Sequence, residues 1–518
     1  MGHVRGPQQR AWTQDEGWEE TAFIPHHGPF TGTPGLNIPV PTTQLRFFQQ
    51  FFTRELLHFL AEETNMYTDL QMRSSLGSLP WLQCTDSEMA KFLGLLILMG
   101  FFEMPMLHHY WSKDVLYEHP IFPKTMSGRR WLGILHYFHT FNLKAIHKDN
   151  DDHLIKVQPV MEYLRWQSMA VYTPTEHLSL GEGGMPWWGS LNFRVYNPSK
   201  PDNYVIKLYM LVEAQTGYIY NFDVYSGVSK STKDTVCALI DALLGKGYKL
   251  CMDNYHNSVD LCSYLFDHQV YVCGTLRLAR GAPRDLQQLA KAKLADDTVV
   301  SRHKGNVMVL LWKDKHVISM VISFYSSDTV EKSRQLCTKG IEGVYSYEEK
   351  LVQKLVVIED YNVHMSGVDL FDQMISYYKF TRKTQKWMKK IVFYFLQMAL
   401  YNSYIIYRKY SSSPQKLTLL QYHKHVIHKL IRFTNDEWPL SGHIIDHVPN
   451  LPDELVMAPF QRRHPAHRHA PPALGRAQVA CALGQSRALG RAVVHGIRRR
   501  RPASPPPTPP APGPAARS

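Results

Sequence analysis

Four carboxylates in this chain stand where side chains could do chemistry. Glu213 closes a buried-strand pattern, Val205 to Val212 (VIKLYMLV), and Asp253 directly follows a second, Lys249 to Met252, in Cys-Met-Asp-Asn-Tyr. A residue at a strand end is aimed into the crevice at the sheet's edge. Asp369 and Asp372, in Gly-Val-Asp-Leu-Phe-Asp-Gln, are three apart and so project from one helix face. Convergent hard oxygens suit Mg²⁺ or Mn²⁺. In a two-ion arrangement one ion activates an attacking hydroxyl and the other stabilises the leaving oxygen of a phosphodiester. Spacing alone leaves blander roles open. An Asp after a strand also serves turns and helix caps, the Asp369/Asp372 pair also suits a helix dipole, and Asp372 could pair with a nearby Lys or Arg.

A second group is cationic. Lys379, Arg382, Lys383, Lys386 and Lys390 recur at helical intervals among Tyr377, Tyr378, Phe380 and Trp387. Such a stripe suits a nucleic-acid backbone, where phosphate contacts supply most of the affinity; a solvated helix face is the alternative. The acidic pair just upstream disfavours a calmodulin-type or membrane-surface helix. The net charge of +13 is less informative than it looks, because residues 461–518 hold eleven arginines and no acid. The remainder carries 47 basic against 45 acidic side chains, so any nucleic-acid argument rests on local patches.

The seven cysteines are scattered, without a CxxC pair, and the 26 histidines form no HExxH or Cys/His cluster. Neither a disulfide framework nor a structural zinc is expected from this pattern. The start of the chain lacks a secretory apolar stretch, and the apolar runs Phe92 to Phe102 and Ile391 to Tyr407 are too short or too polar to span a bilayer. A cytosolic or nuclear protein without a membrane partner is expected.

The elements that must position these groups can be sketched. Residues 1–38, rich in Gly, Pro, His and Gln, read as a disordered arm. Helical periodicity follows in 39–204, with Leu45, Phe48, Phe51 and Phe52 on one face and Ser87-Glu88 opening the helix Phe92 to Phe102. From 205 to 279 the pattern becomes strand, strand, helix, strand, helix, strand, and 280–350 reads as an insertion carrying a strand pair, Val307 to Trp312 and Val317 to Ser323. Residues 351–378 return to the core, with Ser366 and Asp369 shaped like a capping box. Residues 379–457 are helical, and 458–518 read as a disordered Arg/Pro/Ala-rich tail. The fold class expected is an α/β RNase H-like core with an inserted β-containing domain, flanked by a split helical domain.

Several segments together resemble the piggyBac transposases: DNYHNSVDLCSYL with VYVCGTLR, LLWKDKHVISMVIS, DYNVHMSGVDLFDQM with TRKTQKW, and upstream NFRVYNPSKPDNYVIKLYML. The resemblance covers about residues 41–411 and extends to the vertebrate piggyBac transposable element-derived proteins. It implies an interrupted RNase H-like domain with Asp253 and Asp369 as metal ligands, Asp372 as a nearby fourth acid, and Glu213 where the transposases carry their first Asp. It also implies Mg²⁺ or Mn²⁺ as cofactor, double-stranded DNA as partner (transposon ends and TTAA targets), a homodimer built on the helical domain, and a nuclear location. The reaction implied is nicking, end hairpin formation and integration. Two departures point to a domesticated or decayed protein, with an active cut-and-paste transposase as the alternative: the Glu at 213, and the lack of a cysteine-rich domain, only Cys481 following Cys337. Smaller ones are Gly181, where relatives often carry an acid before the Glu, and Val205, often Gly.

Overall fold

The computed structural model describes residues 17–73, 81–141, 152–198, 202–228, 230–339, 345–381 and 384–439. The expected tail, 458–518, lies outside them, as do residues 1–16 of the expected arm and 440–457 of the last helical stretch.

After a short strand β1 (Gly35–Leu36), the first part is helical: α1 (Gln44–Gln49), α2 (Arg54–Arg73), α3 (Asp86–Leu98), α4 (Ile121–Thr125), α5 (Gly128–Tyr137) and α6 (Gln158–Val171). The helices start where short polar side chains can take up free amides. Thr43 caps α1, Ser127 caps α5, and α3 begins with a reciprocal capping box between Thr85 and Glu88, two residues ahead of the expected Ser87. Their apolar faces bury Phe47, Phe48, Phe51, Phe52, Phe92 and Trp131 in one core.

Next come β2 (Tyr172–Thr173), β3 (His177–Pro186), β4 (Val195–Tyr196), β5 (Tyr204–Glu213), β6 (Ile219–Val224), α7 (Thr232–Ile240), β7 (Tyr248–Met252), α8 (Val259–Asp267) and β8 (Val270–Thr275). They are followed by α9 (Arg284–Leu289), β9 (Val299–Lys304), β10 (Val307–Lys313), β11 (Val317–Ile322), β12 (Thr329–Lys339) and β13 (Tyr345–Leu355). The described chain ends with α10 (Val356–His364), α11 (Gly367–Ser376), α12 (Trp387–Tyr410) and α13 (Leu419–Ile431). One nine-stranded sheet runs β4-β5-β3-β7-β8-β11-β10-β9, with β6 also on β5. The pairings β6/β5 and β5/β3 are antiparallel, β3/β7 and β7/β8 are parallel, and β8/β11, β11/β10 and β10/β9 are antiparallel. One side of its centre packs Leu178, Leu180, Leu250 and Met252 against Val236, Leu239, Leu261 and Leu265 of α7 and α8.

Three expectations change. An inner strand of the sheet, β3, lies inside the stretch expected to be helical; its Gly181, Gly183, Gly184 and Pro186 are turn formers in most settings. The 280–350 segment is not a separate body, because β9, β10 and β11 extend the main sheet and only β12 and β13 form a hairpin of their own. Residues 17–38 are not a loose arm. Glu19 bridges to His303, Phe23 is 6% exposed, Phe30 packs on Tyr248, and β1 pairs with β2.

Candidate active site

The carboxyl end of β7 positions Asp253. The side-chain amide of Asn257, fully buried, donates to the carbonyls of Met252 and Thr275, both at 3.0 Å, and so ties the ends of β7 and β8 together. This approach requires glycine at 274, since a Cβ there would lie 2.0 Å from the Met252 oxygen. Asp253 Oδ1 then accepts from the Tyr255 and His256 amides at 3.0 and 3.3 Å and meets His256 Nδ1 at 2.9 Å. Burial pushes the Asp253 carboxyl up, but these bonds and the buried His256 outweigh it and hold the group below its ordinary range. Asp253 therefore closes a turn, and its side chain is still 43% exposed.

Strand β3 lies beside β7 in parallel register, ending at the Leu180–Met252 pair, so Gly181 stands one step on, beside Asp253. Alternation along a strand turns Ser179 and Gly181 away from Leu178 and Leu180. On that side the chain from α10 into α11 packs against β3. Ser179 Oγ donates to the Met365 carbonyl at 2.8 Å, and a Cβ at Gly181 would meet Val368 Cγ2 at 3.0 Å. The next residue, Asp369, is exposed, while Val368 and Phe371 are buried. Asp372 is half-buried, and its charge pushes up the hydroxyl of Tyr394, already raised by burial. Helix α11 starts where expected, after Ser366, but without the capping box: Ser366 makes no side-chain cap.

Glu213 is not brought to this place. It pairs with Leu178, which pairs with Leu250, so it lies three residues short of Asp253 along the sheet and one further strand away. At strand spacings of about 3.3 Å per residue and 4.8 Å per strand, the backbones are separated by more than about 10 Å. The carboxylate is fully buried, and protein donors surround it. Oε1 accepts from Tyr172 at 2.6 Å, from the Thr175 amide and hydroxyl at 3.0 and 2.9 Å, and from Lys409 at 3.2 Å; Oε2 accepts from Thr216. The expectation that it joins Asp253 and Asp369 around one ion fails, because its oxygens are already satisfied elsewhere.

The cationic stripe is also redrawn. Helix α11 ends at Ser376 and α12 begins at Trp387, so Lys379 and Lys386 lie outside helix and helical spacing does not relate them. Arg382 and Lys383 lie outside the described residues. Lys390 donates to the Pro186 carbonyl, and Lys389 is buried, donating to Leu135 and His136 at the end of α5. Another cationic group lies near Asp253. Lys207 Nζ stands 4.2 Å from the Tyr255 ring centroid, and Arg277 and Arg280 stand 5.8 and 5.9 Å from it. Arg280 also donates to the Tyr255 carbonyl. Nothing in sequence spacing links 207 to 277; the cue within reach was an arginine two residues past the end of a strand, in GTLR.

The family profile described as Transposase IS4 matches residues 43–404, well over half of the chain. This chain belongs to the IS4/piggyBac-type transposase family. Within it, the chain is 22% identical over 417 residues to human PiggyBac transposable element-derived protein 2, covering 77% of this chain and 67% of that protein. Human PiggyBac transposable element-derived protein 5 is 22% identical over 399 residues, covering 73% of each. Among solved structures, a piggyBac transposase in a synaptic complex with hairpin DNA aligns with a TM-score of 0.64 at 21% identity, covering 77% of this chain and 82% of that one. The piggyBac-type fold thus accounts for both the helical part and the sheet. Among the described residues, no helix is long and apolar enough to cross a membrane.

Proposed function

We propose that this piggyBac-type protein binds double-stranded DNA in the nucleus through an RNase H-type core and has lost efficient strand cleavage. The observation that carries the reading is Gly181. It stands beside Asp253 on β3 and against Val368, the neighbour of Asp369, at a position where the resemblance implies an acid. Three antiparallel strands, β6-β5-β3, followed by parallel β7 and β8 support the RNase H assignment. With Asp253 and Asp369 the only two of the expected ligands at this end of the sheet, the residues do not fit a two-ion site of convergent carboxylates. Asp372 is engaged lower on α11, and Glu213 is bonded elsewhere. The cations around Tyr255, with Lys379 and Lys386, support DNA contact through phosphates. The solved neighbour's complex with hairpin DNA supports the same partner.

The test is relaxation of supercoiled plasmid in Mn²⁺ by the full chain and two variants. The wild type is expected to leave the plasmid intact, Gly181→Ala likewise, and Gly181→Asp to nick it. Both variants meet the same crowding against Val368, so Ala controls for packing; its cost is about 1–3 kcal/mol for an overpacked site. Metal-dependent nicking by the wild type, lost in Asp253→Asn, would establish the competent enzyme instead.

A further inference from the structure

We propose that His177, Asp360 and His364 form a binding site for a divalent transition ion of the zinc class, clipping α10 to the first residue of β3. Among the described residues this is the group of His, Cys, Asp and Glu that brings three donor atoms within 4.8 Å of one another. Asp360 and His364 are four apart on α10 and so share a face, with His364 Nδ1 3.0 Å from Asp360 Oδ1. The imidazole of His177 stacks on that of His364, centroids 4.0 Å apart and planes 11° apart. Both members of the α10 pair are largely buried, with side chains 15% and 10% exposed. The second Asp360 oxygen, Oδ2, is buried, and the Tyr325 hydroxyl lies against the carboxylate.

Donor type and size fit that class of ion. Two imidazoles and a carboxylate make a mixed nitrogen and oxygen set that suits zinc, leaving one position for water. Tetrahedral zinc with bonds of about 2.0–2.1 Å holds its ligand atoms about 3.3 Å apart. The Asp360–His364 pair is already at that spacing, so an ion takes the place of their shared proton while the His177 ring turns from its stacked position. The nearest cation, Lys249, pairs across from His177 in the sheet and is neutralised by Glu176 at 3.0 Å. The site is distinct from the Asp253 end of the sheet: His177 precedes Gly181 by four residues on the same side of β3. It would fasten the chain where α10 returns to β3 after the β12-β13 hairpin, which lies outside the main sheet.

Co²⁺ and Zn²⁺ are the probes, with the full chain. One equivalent of Co²⁺ should give the visible absorption of a tetrahedral ion, and Zn²⁺ should raise the melting temperature where Mg²⁺ does not. His177→Phe keeps a stacked ring but removes a ligand, so it should lose both signals while keeping the metal-free melting temperature. His177→Cys, which restores a zinc ligand, should recover the Zn²⁺ shift. The proposal is overturned if the wild type shows neither signal, or if His177→Phe retains both. If His177→Phe does not fold, absence of a Zn²⁺ shift in His177→Cys overturns it equally.

Discussion

A carboxylate can be fully buried only where donors replace its water shell, and Glu213 has them on both oxygens. Burial pushes its pKa up, yet Thr216, Tyr172, the Thr175 amide and the charge of Lys409 together draw it below the ordinary 4.5. A folded-state value below the unfolded one gives stability that is complete above the unfolded pKa and lost as pH falls through the folded one. Glu213→Gln should therefore destabilise by about 2–4 kcal/mol at pH 7, the range for breaking a buried, charge-assisted network. Below about pH 4.5 the gap to the wild type should narrow, because there the unfolded wild type takes up a proton that the folded carboxylate does not. Urea titrations at pH 3 to 7, with and without Mn²⁺, measure this. A gap that opens only with the ion present would make Glu213 a metal ligand after all. Single lysines separate in the same way. Lys379→Ala and Lys386→Ala should weaken DNA binding and flatten its salt dependence by about one unit per lost phosphate contact. Lys390→Ala, whose ammonium holds the Pro186 carbonyl, should lower stability and leave the salt slope alone.

Helix α12 shows how an element can hide its role. Its apolar run was legible as a buried helix, and 17 of its residues are buried, Lys389 unexpectedly among them. Burial, with the charge of Lys386, draws the Lys389 ammonium down from 10.5 to about 7. Between those values the unfolded chain holds more protons, so stability rises with pH there. Wild-type protein should gain on Lys389→Met as pH goes from 7 to 9, measured by urea midpoints; parallel curves would sink the idea. Strands β5, β6, β7 and β8 were equally legible, because their Val, Ile, Leu and Tyr runs are bounded by turns. β3 was not, since close packing of α11 and of neighbouring side chains selected small residues, and local pattern reads glycine as a break. With β3 unseen, the residues that flank Asp253 and Val368 on that strand, Gly181 among them, could not be placed. Asp253, Asp369 and Asp372 were legible as acids at element ends. What each touches was not, because the register between distant strands is set by tertiary packing.

Over the whole molecule, residues 17–38 act as a strap that packs Phe23 on one face of the sheet and Phe30 on the other. The Gly28 amide donates to the Tyr271 hydroxyl at 2.8 Å, the Thr31 amide to the Lys246 carbonyl at 2.9 Å, and the Asn37 amide to the Val171 carbonyl at 3.0 Å. Glu19 exchanges both backbone bonds with His303 and so covers the free edge of β9. Deleting residues 1–38 should lower the melting temperature in one cooperative transition and promote aggregation through that edge; light scattering during a thermal ramp checks both. An unchanged melting curve would show the strap to be dispensable. The strap also carries a consequence for the order of events during translation. Its residues leave the ribosome ahead of the sheet, and the last of its backbone partners, His303, is 284 residues behind Glu19. At about 5–20 residues per second that interval is roughly 15–60 s, during which Glu19 and Phe23 lack the strand they cover. A protease cutting between Glu19 and Gly35 would accordingly report the age of a nascent chain, cleaving it until β9 emerges and sparing it once the sheet is complete.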